Sequence, residues 1–496
     1  MNWIDRIVAQ VSPEAGLRRA NARQLLDQSS SGSRSYAAAG RGRRNAGRLA
    51  PATSANSEVG AALGLLRDRA RAFCRDTPAG ARILDLFPAH VVGTGIGVTA
   101  DTGSDADDKR FQAAFDEWAS ACDIEGVMNF GAMQALTVRS MIEGGEAVIR
   151  MVTDASVGPN KVNMRLLGIE GDLIDTSREA IQASDNARLG VELGEFGQRK
   201  GLWLWEEHPG ERRKLLPQYK SNLIKWQDLC HVYRVLRFGQ VRGISWFAPV
   251  FMTGRDLQDL VEAAIVQART QASFAGFIHR PPQQTSPVLG ETAAATGEKV
   301  SRIEPGMIAD IGEAEITFAN PSSQSAFAEV YIAGMQAMAA GVGMTYDQLT
   351  GDLRQANYSS LRAGKIEHRR LVEQIQSHIV MPRLVLPVVK AFTDRAMMQR
   401  ILPKRSHNYN VNLIPPANEP IDPLKDMEAD ILAVRSGRMT PQEFMSSWGL
   451  DWRKAIKDFQ AFFSATDGAG FSFLDIDPRQ SAASKGASNN DPAKNP

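Results

Sequence analysis

Apolar residues recur with helical spacing over most of this chain, and give way to alternation in one central stretch. The helical pattern predicts one helix over Ser57 to Cys74 and another that Pro78 opens and that stops before Gly93. Phe111, Phe115 and Trp118, at i, i+4 and i+7, predict a third helix running to Ala121, and Phe130 to Glu143 reads as a fourth. Strand character follows at Glu146 to Val152, Lys161 to Ile169, Arg188 to Leu193, Gly201 to Glu206 and Leu229 to Tyr233, so the stretch 57–250 reads as a mixed α+β unit.

A long helix then runs from about Phe251 to Phe274. Its stripe of Leu257, Leu260, Val261, Ala264, Ile265, Ala268 and Ala272 is one-sided, and Pro281 and Pro282 stop it. Residues Gln283 to Lys299 are too polar to pack a core, and short strands are expected at Val300 to Ile303 and Glu315 to Phe318. A nearly uncharged helix, Ser322 to Ala340, carries only Glu329, and a strongly charged one follows over about Ser360 to Val380. Pro382 and Pro387 are expected to end that helix. Helices at Asp422 to Ser436, Pro441 to Gly449 and Asp451 to Phe463 close the ordered part, and the Ser/Asn/Pro-rich residues 477–496 read as a disordered tail. The long helix and the uncharged one are too one-sided to form a core as an isolated pair, so both are expected to pack against copies in neighbouring subunits.

Composition changes this picture in three places. With 57 basic and 56 acidic residues the formal charge is +1, which argues against coating by nucleic acid through bulk charge but not against letting it slide past. The arm 28–57 is the exception, because its only charged residues are Arg34, Arg41, Arg43, Arg44 and Arg48; it reads as a solvated arm, a phosphate contact or a docking strand. Met1 to Val11 fits a short amphipathic helix and lacks a signal-peptide run, and no apolar stretch is long enough to span a membrane. The three cysteines, Cys74, Cys122 and Cys230, have no ligand or redox spacing and read as satisfied thiols of a reducing compartment.

The chemistry-bearing motifs are missing. There is no phosphate-binding G-x-x-x-x-G-K-[ST] loop, no H-E-x-x-H, no nucleophile elbow, and no histidine pair at i, i+4 among the seven. Gly93, Gly95 and Gly97 follow a helix, so they read as a turn into a strand and not as a dinucleotide fingerprint. Asp105, Asp107 and Asp108 lack calcium-loop spacing and read as a solvated turn in a polar loop, 101–109. Trp203 and Trp205 share a strand face and read as sheet packing rather than a base-stacking platform. No catalytic residue, metal or cofactor is therefore expected.

Several runs, taken in order, resemble the lambda family of phage portal proteins. They are 36–44 (YAAAGRGRR), 91–96 (VVGTGI), 239–250 (GQVRGISWFAPV), 349–360 (LTGDLRQANYSS) followed by 362–364 (RAG), then 421–426 (IDPLKD) and 435–437 (RSG). The likeness covers about residues 30–455. It implies an α+β portal fold: a mixed wing domain at 57–250 after a basic arm at 1–56, a first stem helix at 251–279, a small clip with short strands at 280–321 and a second stem helix at 322–340. It further implies a channel loop region at 341–360, a helical connection at 361–413 and crown helices at 414–476.

It also implies a homo-oligomeric ring, usually of twelve subunits, at one capsid vertex of the virion, assembled in the host cytoplasm. Double-stranded DNA passes through such a ring without sequence specificity. The implied partners are further copies of the chain, the terminase large subunit, a head-completion or adaptor protein and the major capsid protein, with no membrane. Arg354, Gln355, Asn357 and Tyr358 are then candidates to face the channel, with Ser359 or Ser360 capping the next helix. Arg41, Arg43, Arg44 and Arg48 are candidates for phosphate contact or docking, and the 257–268 stripe for stem packing. A DNA-processing enzyme, or an architectural scaffold that never meets DNA, are the alternatives.

Overall fold

A computed structural model describes residues 52–153, 161–179, 186–211, 220–272, 277–278, 309–310, 324–354, 357–405, 409–417, 420 and 422–468. Its contacts divide the chain into residues 1–54 and 55–496, and every helix and strand described belongs to the second unit. The first structural layer is helical. Helix α1 (Ala55–Asp76) turns sharply into α2 (Pro78–Val91), whose cap Thr77 accepts from the Gly80 amide. Gly93 and Gly95 take positive φ values of 54° and 132°, and the chain enters β1 (Gly97–Ala100), the turn into a strand that the glycines predict.

Helix α3 (Asp105–Ala119) starts earlier than its apolar pattern indicates, because Ser104 caps it. The acidic cluster is thus its first turn and not a solvated loop. Arg405 pairs with Asp107 at 2.7 Å and Arg453 with Asp108 at 2.7 Å, in addition to the favourable placement of carboxylates at a helix N-terminus. Phe111, Phe115 and Trp118 are all buried and pack edge-on or tilted against Phe392, at centroid distances of 5.9, 5.2 and 5.2 Å.

Helix α4 (Phe130–Gly144) leads straight into β2 (Glu146–Val152), the centre of an antiparallel sheet ordered β3-β2-β8, with β3 at Arg165–Glu170 and β8 at Leu229–Tyr233. A second antiparallel sheet runs β4 (Ala187–Arg188), β5 (Val191–Leu193), β6 (Arg199–Trp205) and β7 (Ser221–Lys225). Leu202 and Leu204 face its core while Trp203 and Trp205 point the other way, half-buried; the Arg178 guanidinium lies 4.4 Å from the Trp203 ring centroid. Strand β7 alternates too weakly to show in sequence.

Helix α5 (Phe251–Ala272) is followed by a short parallel pair, β9 (Phe277–Ile278) with β10 (Ala309–Asp310), and the expected end at Phe274 lies outside the described residues. The strands expected at 300–303 and 315–318, and the polar insert between the prolines, lie outside the described residues. Helix α6 (Gln324–Val342) runs back antiparallel to α5: a Cβ on Gly334 would meet Leu257 and one on Gly254 would meet Met338. After a short α7 (Tyr346–Thr350) comes α8 (Tyr358–Ile375).

The prolines do not end α8. The helix widens into a π-helix over Gln376–Val385, in which the Leu386 amide donates to Met381 O, and continues as α9 (Leu386–Met398). A wide turn relieves the clash between a proline ring and the carbonyl a turn earlier, which an α-helix cannot. Strand β11 (Val411–Ile414) then pairs antiparallel with β1, 313 residues apart at the Thr99–Asn412 contact. Helices α10 (Pro423–Arg435), α11 (Pro441–Ser447) and α12 (Trp452–Gly468) follow, near their expected bounds. One large core runs from α2–α4 through β2 and β8 to α6 and the π-helix, and a smaller one lies under the second sheet. All three cysteines are free and buried, and burial pushes each thiol up to about 12, so they are inert packing groups.

Candidate functional site

Two regions bear on the candidate site: the helix pair α5/α6 with the segment that follows it, and a buried ion network, or joint, in the run that enters α5. Among the described stripe residues on α5, Leu257 alone is buried, against Gly334. Leu260, Val261 and Ala264 are half-buried, Ala268 is exposed, and Ile265 keeps 44% of its surface exposed. On α6, Met335, Met338 and Ala339 are buried while Val330 is 54% exposed. The near end of the pair is thus rooted in the core, whereas the far end presents aliphatic surface that nothing among the described residues covers.

The segment after α6 is half anchored and half projecting. Gly343 has φ +82° and its carbonyl accepts from His368 Nδ1 at 3.2 Å. Helix α7 sits within the predicted loop; Leu349 is buried and Arg82 Nε reaches Gln348 O at 3.3 Å. Gly351, φ +71°, ends α7. Beyond it the tip projects, with Leu353 59% exposed and the Arg354 side chain 87% exposed. Arg354 forks onto Asp352 through Nε at 2.9 Å and Nη2 at 2.8 Å, and this hydrogen bonding holds the Asp352 carboxyl down at about 2. The tip therefore bears paired, mutually neutralised charge.

Asn357 is the N-cap of α8: its Oδ1 accepts from the Ser360 amide at 2.8 Å and its own amide donates to Ser360 Oγ at 3.2 Å. The cap lies two positions before Ser359 and three before Ser360, so Asn357, named among the channel candidates, also has a structural task. Tyr358 is the first residue of α8, while Gln355 and the four arginines Arg41, Arg43, Arg44 and Arg48 lie outside the described residues.

The joint was not visible in the motifs. Glu146, at the start of β2, has a fully buried side chain and accepts from Arg242 Nε at 2.9 and 3.0 Å, Arg242 Nη2 at 2.5 Å, Arg67 Nη2 at 2.8 Å and the Gly243 amide at 3.2 Å. Its Oε2, which also accepts from the Gly243 amide, receives His231 Nε2 at 2.9 Å. Arg242 also donates to Leu189 O and Gly171 O, at 2.7 and 3.0 Å, which ties both sheets to the run 239–250 that enters α5. Around it Arg67 meets Asp172 at 3.1 Å, and Arg71 meets Asp172 and Glu170 at 2.6 and 2.9 Å. Although burial alone would raise it, the charge and hydrogen bonds of Arg242, with the hydrogen bond from His231, hold the Glu146 carboxyl well below its ordinary range.

His231 behaves oppositely. Burial pushes its imidazole down to about 4, against the pull of Glu146, so it is neutral and donates from Nε2 while Nδ1 accepts from Arg199 at 3.1 Å. A folded value below the unfolded value of about 6.5 means that this stabilisation is complete above 6.5 and is lost as pH falls towards 4. Unfolding by urea is expected to become easier by roughly 3 kcal/mol between pH 7 and pH 4 on account of this group. His231→Gln, which keeps a donor near Nε2, should flatten that slope; a variant as pH-sensitive as the parent would assign the slope elsewhere.

Among the described residues one group has metal-ligand chemistry, Glu170, Asp172 and His208, with ligand atoms within 4.8 Å of one another. Arg71 already bridges its two carboxylates, so the group reads as an ion-pair network at the sheet edge.

The family model described as phage portal protein, lambda family, matches residues 41–376 of this chain. The chain belongs to that family. The match includes α5, α6, the projecting tip and the basic arm from Arg41 onward, and stops at the first residue of the π-helix. A probable portal protein of Halomonas phage phiHAP-1 is 25% identical over 405 residues, covering 78% of this chain and 77% of the relative. Portal protein B of Escherichia phage lambda is 23% identical over 452 residues, covering 78% and 81%. A chain from the neck of a native GTA particle, computed with C12 symmetry, superposes with a TM-score of 0.38 at 14% identity over 75% of this chain and 90% of that one. Arg242, the centre of the joint, lies in the 239–250 run on which the resemblance partly rests; what sequence could not show was that its partner is a carboxylate 96 residues earlier.

Proposed function

We propose that this chain is a structural, non-catalytic subunit of a portal ring at one vertex of a phage capsid. Copies of the chain, about twelve as in the family pattern, surround double-stranded DNA during packaging and ejection. The observation that carries the reading is the family match over 41–376, and the two rooted helices with an uncovered aliphatic far end support it. In this assignment residues 55–250 are the wing, α5 and α6 the stem, the stretch between them the clip, and α10–α12 the crown. The clip faces the terminase large subunit during packaging and a head-completion or adaptor protein afterwards, while the major capsid protein surrounds the ring. Native mass spectrometry of purified protein is expected to show a closed ring without ATPase or nuclease activity; a monomer at every concentration would overturn the assignment.

The tip 351–357 is proposed to meet the DNA. Sliding needs weak and replaceable phosphate contacts, and a tip whose arginine is neutralised by Asp352 has that character. Gln355→Lys adds one free cation per subunit around the ring, and each new phosphate contact adds roughly 0.9 to the logarithmic salt slope. The variant should assemble normally, package less DNA per head, and recover partly at higher salt. Asn357→Lys is the less clean probe, because losing the cap costs α8 about 1 kcal/mol whatever the DNA does. Normal packaging by Gln355→Lys would remove the tip from the channel wall.

A further inference from the structure

Behind β8, where the π-helix crosses the sheet, lies an open cavity of about 920 Å³ lined by Arg199, Tyr233, Arg383, Lys390 and Asp394 among others. Its charge is unbalanced. Glu146, Asp172 and Glu170 are matched by Arg67, Arg242 and Arg71 in the joint, so none of those carboxylates is left over for the cavity. Arg199 donates to His231 Nδ1, the Tyr233 hydroxyl and Gln240 O, all neutral acceptors. Arg383 donates to Tyr233 O at 2.8 Å. Among the described residues neither guanidinium, nor Lys390, forms an ion pair.

Both guanidiniums lie by the Tyr233 ring, Arg199 at 5.0 Å and Arg383 at 5.1 Å from its centroid, and Arg199 also sits 5.2 Å from Trp226. Ring faces offset a cation only in part. Burial, together with the neighbouring Arg199, pulls the Arg383 guanidinium below its ordinary value, as expected of a cation without a counter-charge. Arg383 is carried by the π-helix, a wide turn that recurs at functional sites and that here keeps the side chain aimed across the sheet. Three cations against Asp394 leave an excess matched by a doubly charged oxyanion, and guanidinium forks suit the tetrahedral array of phosphate oxygens.

We infer that this cavity is a phosphate-binding site, built by Arg199 and Arg383 with Lys390 at its mouth. The phosphate is either free or part of a nucleic-acid backbone. The test is calorimetric titration of the full-length protein with inorganic phosphate at constant ionic strength, against chloride and acetate. Saturable phosphate binding is expected, weakened roughly tenfold or more by Arg383→Gln and less by Lys390→Gln, since a hydrogen bond to a charged group is worth about 1.5–3 kcal/mol. Lys390 is exposed and makes no ion pair, so its variant still decides the matter if Arg383→Gln fails to fold. A short DNA duplex that displaces the phosphate identifies the backbone as the source, and a duplex that does not identifies the free ion; binding lost with the arginine supports the site in both cases. No saturable binding at millimolar phosphate, or binding unchanged in both variants, would overturn it.

Discussion

Replacing Glu146 by alanine is expected to destabilise the folded subunit by about 3–5 kcal/mol, the range for stripping one partner from a buried ion network. The loss is large because of what remains. Arg242 has a fully buried side chain and would be left without its carboxylate, beside a 4% exposed Arg67 that keeps only Asp172. The Gly243 amide and His231 Nε2 would lose their acceptor as well. At an unfolding entropy of about 2 cal/mol/K per residue, a unit spanning residues 55–496 shifts by about 1 °C per kcal/mol, so the unfolding temperature should fall by about 3–5 °C. Glu117→Ala is the control, since its pair with Lys161 at 2.8 Å is solvent-exposed and such pairs contribute about 0–1 kcal/mol. Exchanging Glu146, Arg67 and Arg242 together for apolar residues of similar volume should cost less than Glu146→Ala alone, because no unpaired charge remains. If Glu146→Ala unfolds within about 1 kcal/mol of the parent, the joint is not what holds the two sheets to the entrance of α5.

How much of this was open to sequence depends on the range of the forces. Helices α2, α4 and α5 were legible because their determinants are local: a Thr or Asn cap, a proline or glycine at an end, and apolar residues one turn apart. Strand β11 was missed because its pairing partner is β1, far earlier in the chain, and four residues of weak alternation carry no signal of their own. The π-helix was misjudged for a related reason. Proline is a local stop sign, but Val380, Leu384 and Val385 are wholly buried around it, and that packing outweighs the preference. At the site, the stripe on α5 was visible as a pattern, whereas its division into a rooted and an uncovered end depends on Gly334 of the returning helix meeting Leu257. Asn357 was placed by its neighbourhood in a recognisable run; only the backbone geometry shows that its amide oxygen is already committed to Ser360.

The uncovered end yields the other large effect. Ile265→Asp combined with Val330→Asp is expected to abolish ring formation while leaving the subunit folded. In the isolated chain both side chains are substantially exposed, so a surface substitution there should change stability by no more than about 0.5 kcal/mol. In the proposed ring the same positions are taken to face a neighbouring copy. Burying an Ile or Val there contributes about 1.5–3 kcal/mol, and a carboxylate in its place adds a desolvation cost of the same order. A closed ring repeats the change at every interface, and each subunit contributes to two, so modest losses per contact multiply into loss of the assembly. Charges elsewhere on the pair, such as exposed Asp256 and Asp259 on α5, mark faces that tolerate a carboxylate, and Asp259→Ala serves as the assembly-neutral control. Light scattering and native mass spectrometry read the oligomer, and circular dichroism reads the fold. Rings that persist in the double variant would show that subunits meet through some other surface, with the exposed apolar side chains of α10–α12, Leu424, Leu432 and Phe459 among them, next in line. Unfolded protein would instead return Ile265 and Val330 to the subunit's own core, and the proposed stem would lose its basis.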